Sequence, residues 1–271
     1  DMFKMVQRIR PILESLDNKQ AITHLQLFYL QRKSFIILRV TRLLSDSDKQ
    51  ALTTFSEQNK TCVILEPQKQ QFENLSAKHF PAEILLEYRL DDLAFQFQPQ
   101  NFIQINDEVN QLMVKQALDW LELKPEDLVL DLFSGVGNFT LPLAQKVRQV
   151  MAVEGVNDMV KRLEHNAAIN EIKNVSAHQA DLSQIDDKHK PRWLKPIDKL
   201  LLDPARDGAY DVVKKIPILA PKQILYVSCN PATMARDVKH LLSANYRLTK
   251  IGLLNMFPHT SHVEAMALLE K

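Results

Sequence analysis

The stretch Leu128-Val-Leu-Asp-Leu-Phe-Ser-Gly-Val-Gly-Asn-Phe-Thr140 decides the fold. Residues 128–133 are a short apolar run, as expected of a strand buried on both faces of a parallel sheet. Gly135-Val136-Gly137 turns the chain, and residues 138–147 then predict a helix with Asn138 near its cap. Strand, glycine turn and helix bring backbone N–H groups up to a ligand. A second apolar strand, residues 149–154, ends in Glu154, and 154 − 135 puts that acid 19 residues after Gly135. An acid about 20 residues after the glycine turn accepts ribose hydroxyls in nucleotide folds. The third glycine of G-x-G-x-x-G is absent, Thr140 standing in its place. That glycine lets helix and strand pack closely around a dinucleotide. Its absence disfavours NAD and leaves a nucleoside cofactor without a pyrophosphate. A glycine turn that binds nothing is the competing reading, and Glu154 weighs against it.

Working outward, the strand–helix period continues. Residues 157–171 predict a helix with Met159, Val160, Leu163 and Ala167 on one side. Further strands are expected at 175–181, ending in Asp181; at 198–203, ending in Asp203 before Pro204; and at 223–229, ending in Cys229 before Asn230-Pro231. A helix is expected over 232–244, then strands at 246–254 and 263–269 with no helix between them, so those two should pair antiparallel. Alternating strands and helices imply an α/β, Rossmann-like parallel sheet covered on both faces. Ligands in such sheets sit beyond the carboxyl ends of the strands. Residues 133–138, Glu154, Asp181, Asp203 and Cys229 should therefore gather at one edge.

The first hundred residues differ. A helical stripe spans 2–16, and strand-like runs at 21–30 and 34–40 flank a hairpin candidate, Gln31-Arg32-Lys33. A polar helix is expected over 45–59 with Ser45 as cap, and strands at 61–65, 83–89 and 93–98, the last two joined at Asp91-Asp92. This reads as a separate small α+β domain, residues 1–97, before an α/β domain, residues 98–271. Lys4, Arg8, Arg10, Arg32, Lys33, Arg39 and Arg42 make this half locally basic, although a solvated face explains any one of them. Cys62 lies among Val63, Ile64 and Leu65 and reads as core.

The 271 residues hold 34 Lys+Arg against 33 Asp+Glu, 45% apolar and 25% charged residues, the composition of a globular protein rather than of disorder, collagen or coiled coil. A net charge of +1 offers no global field for nucleic acid. Only 5 glycines occur where average usage gives about 19, and Gly135, Gly137 and Gly155 cluster around the turn. No run reaches the ~18 apolar residues of a membrane span, and no apolar leader follows Asp1. Two cysteines make neither a disulfide framework nor a four-cysteine metal site, which points to a reducing, cytoplasmic setting.

Five segments carry a resemblance: Asn101-Phe-Ile-Gln104-Ile-Asn106, Asp131 to Thr140, Leu202-Asp-Pro-Ala-Arg206, Val227-Ser-Cys-Asn-Pro-Ala-Thr233 and Phe257-Pro-His-Thr-Ser-His-Val-Glu264. Together, and in this order, they resemble the RNA uracil-C5 methyltransferases that use S-adenosylmethionine, in particular members that modify 23S ribosomal RNA. The resemblance implies a class I methyltransferase domain preceded by an RNA-contacting central domain. Uracil C5 is too weak a nucleophile to accept a methyl group unaided. A thiolate added to C6 makes the ring an enolate that is rich at C5, and a base must later remove the C5 proton. The resemblance makes Cys229 the nucleophile and Glu264 the base. Position before a helix should stabilise the Cys229 thiolate, and an apolar strand should raise the pKa of Glu264. By the same resemblance Gln104 lies near the reacting centre, Phe133, Gly135 and Asn138 form the cofactor loop, Glu154 holds the ribose, Asp181 faces the adenine amino group, and Asp203 sits beside the methyl donor or the uracil. His259 and His262 are not expected to hold a metal, since a strand end does not set His-x-x-His on one face. The target uridine is expected to be flipped out of its stack, in RNA rather than DNA, by a monomer.

Such enzymes also carry an N-terminal basic β-barrel and four cysteines for an iron–sulfur cluster, and neither is in this sequence, which reads as a piece beginning after the last cluster cysteine. Ser134 stands where a cysteine is expected, without catalytic meaning. Three alternatives remain: methylation of transfer RNA or another ribosomal site; methylation of another base, against which Asp203-Pro204-Ala205-Arg206 replaces Asn-Pro-Pro-aromatic; and a non-catalytic RNA-binding or assembly factor.

Overall fold

The computed structural model describes residues 2–30, 33–68, 71–76, 85–99, 101–104, 106–184 and 190–271. The turn of the expected first hairpin, at Gln31-Arg32, and the start of the expected strand 83–89 lie outside them. The chain divides into two compact units, Asp1–Tyr88 with Gln96–Gln100, and Arg89–Phe95 with Asn101–Lys271.

The first unit is a four-stranded sheet with two helices. Strands β1 (Ile22–Leu30), β2 (Lys33–Val40), β3 (Thr61–Gln68) and β4 (Gln71–Asn74) lie in that order. Only β2 and β3 run parallel, and the helical crossover α2 (Asp46–Asn59) makes that possible. Ser45 caps α2 by accepting the Asp48 N–H at 3.1 Å, as the sequence suggests. Helix α1 (Met2–Ser15) buries Ile9 in a core with Ile36, Leu38, Leu52, Phe55 and Val63. Cys62 is buried, and burial pushes its thiol up to about 12, so it behaves as a small apolar residue. The division between the units runs through a two-stranded hairpin, β5 (Leu86–Leu90) and β6 (Leu93–Phe97).

The second unit begins with a helix absent from the sequence reading, α3 (Asp107–Leu121). Asn106 caps it by accepting the Val109 N–H, and Asn110, Met113, Val114, Ala117 and Leu121 form its buried face. The chain then alternates: β7 (Leu128–Leu132), α4 (Thr140–Ala144), β8 (Gln149–Glu154), α5 (Asn157–Ile169), β9 (Val175–Gln179), β10 (Lys199–Leu202), α6 (Tyr210–Val213), α7 (Ile216–Leu219), β11 (Gln223–Ser228), α8 (Pro231–Ser243), β12 (Arg247–Leu254) and β13 (Glu264–Glu270). The seven strands form one sheet in the order β12-β13-β11-β10-β7-β8-β9. From β7 the chain steps outward through β8 to β9, then returns to place β10 on the other side of β7. Six of the seven strands run in one direction, and β13 is inserted antiparallel between β11 and β12. The central parallel strands β7, β8, β10 and β11 are nearly continuous buried apolar runs, such as Leu200, Leu201 and Leu202, because helices cover both faces.

This order creates a switch point between β7 and β10, where consecutive connections leave to opposite sides and a crevice opens at the strand ends. The antiparallel run of β13 matters as much. It places the start of β13, not its end, at the edge where β11 finishes.

Candidate functional site

Between β7 and α4 the chain makes a tight turn. Phe133 is left-handed, with φ +62°, and a third exposed. Ser134 N–H donates to Val153 O of the neighbouring strand, and Gly137 N–H donates to Ser134 O at 2.9 Å. Gly137, at φ +100°, holds a backbone conformation that strains any side chain, and a Cβ would press on Leu163 Cγ at 3.3 Å and touch Leu141 Cγ at 3.4 Å. Beneath the turn, buried Asp131 accepts the Thr140 hydroxyl at 2.5 Å, and burial pushes its carboxyl up to about 7. That pair ties the last part of β7 to the first residue of α4. A carboxylate and a hydroxyl flanking the glycine turn, nine residues apart, were the signal that could have found it.

Asn138 does not cap the helix, contrary to the sequence expectation. The helix begins at Thr140 and Phe139 occupies the cap position without a side-chain bond. Asn138 instead exchanges two 2.9 Å amide hydrogen bonds with Asn110 of α3. A fully paired partner from another helix outcompetes a local cap. This pair fastens the turn to α3, ahead of which lies Gln104, itself 8% exposed.

Glu154, at the end of β8, accepts Gly135 N–H at 3.1 Å and Val156 N–H at 3.0 Å. A cavity of about 190 Å³ opens beside it, lined by Phe133, Val153, Glu154, Gly155, Ala180 and Asp181. Asp181 is exposed and accepts the Ser183 N–H. Two observations suit this edge to a ligand. Among the described residues, Ser134 Oγ is buried without a hydrogen-bond partner, and a Cβ on Gly135 would meet nothing within 4 Å.

Across the switch point, Asp203 follows β10 and its N–H donates to Leu132 O. Part of its surface is open, yet the protein around it desolvates the carboxyl and lifts it to about 7. Cys229 follows β11 in a turn that Ser228 and Asn230 close: Asn230 N–H donates to Ser228 Oγ at 3.0 Å, and Asn230 Oδ1 caps α8 through Ala232 N–H. In the β11–β13 ladder Ser228 pairs with Ala265, so Cys229 and Glu264 come next, side by side at the sheet edge. Glu264 is 2% exposed on an interior strand, and burial, then the charge of Asp203, push its carboxyl up to about 8. An exposed edge-strand acid is thereby excluded.

The Cys229 thiol departs from the sequence expectation in sign. It is raised, not lowered: burial opposes the thiolate most, followed by Glu264 and Asp203, and these outweigh the backbone N–H and Arg206. Arg206, whose electrostatic reach to Cys229 was not read from sequence, also lies within 3.5 Å of His262 Nδ1. Among the described residues no three His, Cys, Asp or Glu side chains are grouped as metal ligands.

The strand order and the crevice at its switch point define a Rossmann-like fold. In structure the chain is similar to the Pyrococcus abyssi tRNA (uracil-54, C5)-methyltransferase solved with S-adenosyl-L-homocysteine: TM-score 0.71, 24% identity, 98% of this chain and 66% of that one. It is also similar to TYW2 of P. horikoshii, with TM-score 0.60 and 16% identity over 97% of each chain. The family described as tRNA (Uracil-5-)-methyltransferase matches residues 5–271, and the chain belongs to it. Curated relatives named 23S rRNA (uracil(1939)-C(5))-methyltransferase RlmD are 46% identical in Shewanella amazonensis and 42% in Cronobacter sakazakii, each over 98% of this chain. The chain spans 59% and 60% of their lengths.

Proposed function

We infer that this chain transfers a methyl group from S-adenosylmethionine to C5 of a uridine in 23S ribosomal RNA, the uridine being position 1939 named for its curated relatives. The observation that carries the reading is the ladder that sets Cys229 beside Glu264 at the strand ends, within electrostatic reach of Asp203. One nucleophile and one base on the same small ring are what the reaction needs.

In this reading Cys229 sulfur bonds to C6 of a flipped-out uracil, and the ring electrons shift toward C5 and the C4 oxygen. S-adenosylmethionine supplies an electrophilic methyl group when bound. Once C5 carries both hydrogen and methyl, the Glu264 carboxylate takes the hydrogen as a proton. The C5–C6 double bond then re-forms and the S–C6 bond breaks. The Cys229 thiol gives its proton to solvent as the thiolate forms, and Glu264, whose carboxyl burial and Asp203 push up to about 8, gives its own proton to solvent before it takes the C5 hydrogen.

The cavity beside Glu154, lined by apolar Leu132, Phe133, Val153 and Val212 and by the acids Glu154 and Asp181, would take the adenosine moiety. Glu154 would hold the ribose hydroxyls, Asp181 the adenine amino group, and Phe133 a ring face. Gly135 and Asn138 shape the loop, while Gln104 and Asp203 would face the donor or the uracil. Two free cysteines without a disulfide framework support a cytoplasmic setting.

Labelled S-adenosylmethionine incubated with the chain and with 23S or transfer RNA transcripts tests the reading, beside Cys229→Ala. Label in C5 of uridine 1939, lost in the variant, supports it. Label only in transfer RNA overturns the substrate, and transfer surviving in Cys229→Ala overturns the nucleophile.

A further inference from the structure

A buried carboxylate outside the reacting edge ties together the two segments that deliver Cys229 and Asp203. Asp237, on α8, is fully buried and accepts three hydrogen bonds. They come from Ala209 N–H at 2.7 Å, Tyr226 hydroxyl at 2.7 Å and Arg236 Nε at 2.8 Å. Each donor belongs to a different part of the site's support. Tyr226 is on β11, three residues before Cys229; Ala209 ends the loop that starts at Asp203; Arg236 lies on α8 itself.

The same loop is held at two further consecutive points. Asn230 Nδ2 donates to Arg206 O at 3.1 Å, the Thr233 hydroxyl shares its proton between Arg206 O at 3.2 Å and Asn230 O at 3.0 Å, and Arg236 Nη2 donates to Asp207 O at 3.0 Å. Gly208 lies between these anchors at φ +78°, where a Cβ would meet Asp237 Oδ2 at 2.7 Å and Arg236 Nη2 at 2.8 Å. The loop backbone is therefore pressed onto α8 with no space for a side chain. None of these groups reaches the reacting edge as nucleophile, base or cofactor ligand.

We propose that Asp237 is a positioning residue, which through Ala209, Tyr226 and Arg236 straps the Asp203–Ala209 loop to the helix behind Cys229 and so fixes the distance from the thiol to Arg206. The proposal rests on the reading that Cys229 and Asp203 serve one substrate. A buried carboxylate with three donors is strongly directional, and losing it leaves the donors unpaired. The groups that act on the thiol are Glu264 from β13, Asp203 and Arg206 from this loop, and the backbone N–H of Cys229 itself. Glu264 is fixed in its ladder and Asp203 by its bond to Leu132 O, whereas Arg206 is held by Asn230 and Thr233 at the start of α8 and, through the adjoining Asp207 and Ala209 backbone, by Arg236 and Asp237. Releasing the strap withdraws the cation and leaves the two carboxylates.

The test uses the full chain and the variants Asp237→Asn, Gly208→Ala, Tyr226→Phe and Arg236→Ala. The first readout is the pH profile of Cys229 alkylation by iodoacetamide, followed by mass spectrometry, which requires no RNA. The second is methyl transfer to 23S RNA. The expected result is an alkylation midpoint displaced upward by a few tenths of a pH unit or more, with kcat reduced at least tenfold in Asp237→Asn and RNA KM within threefold. A merely structural role predicts lower thermal stability with an unchanged midpoint in the folded protein, and that result overturns the proposal. Should Asp237→Asn fail to fold, Tyr226→Phe and the half-exposed Arg236→Ala decide, since each loosens the strap and leaves the Asp237 carboxylate in place. An altered midpoint with no methyl transfer by the wild type refutes the proposed function and leaves the strap standing.

Discussion

Replacing Glu264 by glutamine should stabilise the protein in alkaline solution while removing its proposed base. Glu264 is 2% exposed, and burial together with Asp203 pushes its carboxyl from the ordinary 4.5 up to about 8. The unfolded chain loses this proton near 4.5, and the native chain keeps it until about 8. Between those values the native state binds more protons, so stability falls as pH rises. The penalty vanishes well below pH 4.5 and is complete above about 8. The full span corresponds to about 5 kcal/mol at ~1.4 kcal/mol per pH unit. Relaxation and water entry around a real buried site leave roughly 2 kcal/mol of it. Glutamine has nearly the same shape and no charge, so the variant escapes the penalty. For a unit of this size that is ~4–8 °C in Tm. Calorimetric melting of both proteins at pH 5, 7 and 9 is the assay. The Tm advantage of Glu264→Gln should be small at pH 5 and largest at pH 9. An advantage independent of pH, or a less stable variant at pH 9, would refute the reasoning. A carboxyl kept where it weakens the fold is consistent with selection for chemistry.

Other outcomes follow from the same geometry. Gly137→Ala should destabilise by ~2 kcal/mol in denaturant titration, from a strained φ and the contacts with Leu163 and Leu141; a change under ~0.5 kcal/mol would contradict that geometry. Glu154→Ala should weaken S-adenosylmethionine binding at least tenfold by calorimetry, since a hydrogen bond to a charged group contributes ~1.5–3 kcal/mol; unchanged binding would remove Glu154 from the ribose. Wild-type Cys229 should alkylate with a midpoint above the ordinary thiol value of about 8.5, and Glu264→Gln should lower it; a midpoint below 8 would contradict the balance of burial and carboxylates.

The parallel strands were legible to within a residue or two, because their apolar runs end in glycine, proline or an acid: β7 at Leu132, β10 at Leu202, β11 at Ser228. The pairing of the two closing strands was also legible, but the insertion of β13 beside β11 was not. Periodicity reports a strand's faces and says nothing of its neighbours. That insertion brings Glu264 to Cys229, so the site's central pair is a tertiary fact. Asn138 and Cys229 were misjudged for one reason. Local rules about caps and helix ends were applied where Asn110, Glu264 and Asp203, each distant in sequence, dominate. Helix α3 carries its own sequence signal in the Asn106 cap and the stripe Met113, Ala117, Leu121. The short polar β4 offered no alternation to read.

The central claim is a bond between Cys229 sulfur and uracil C6, and trapping it tests the claim most directly. Glu264→Gln incubated with S-adenosylmethionine and 23S RNA should accumulate a protein–RNA species that survives a denaturing gel, carries the methyl label and maps to Cys229 by mass spectrometry. Methyl transfer that proceeds in this variant without such a species, or an adduct on any other residue, would contradict it.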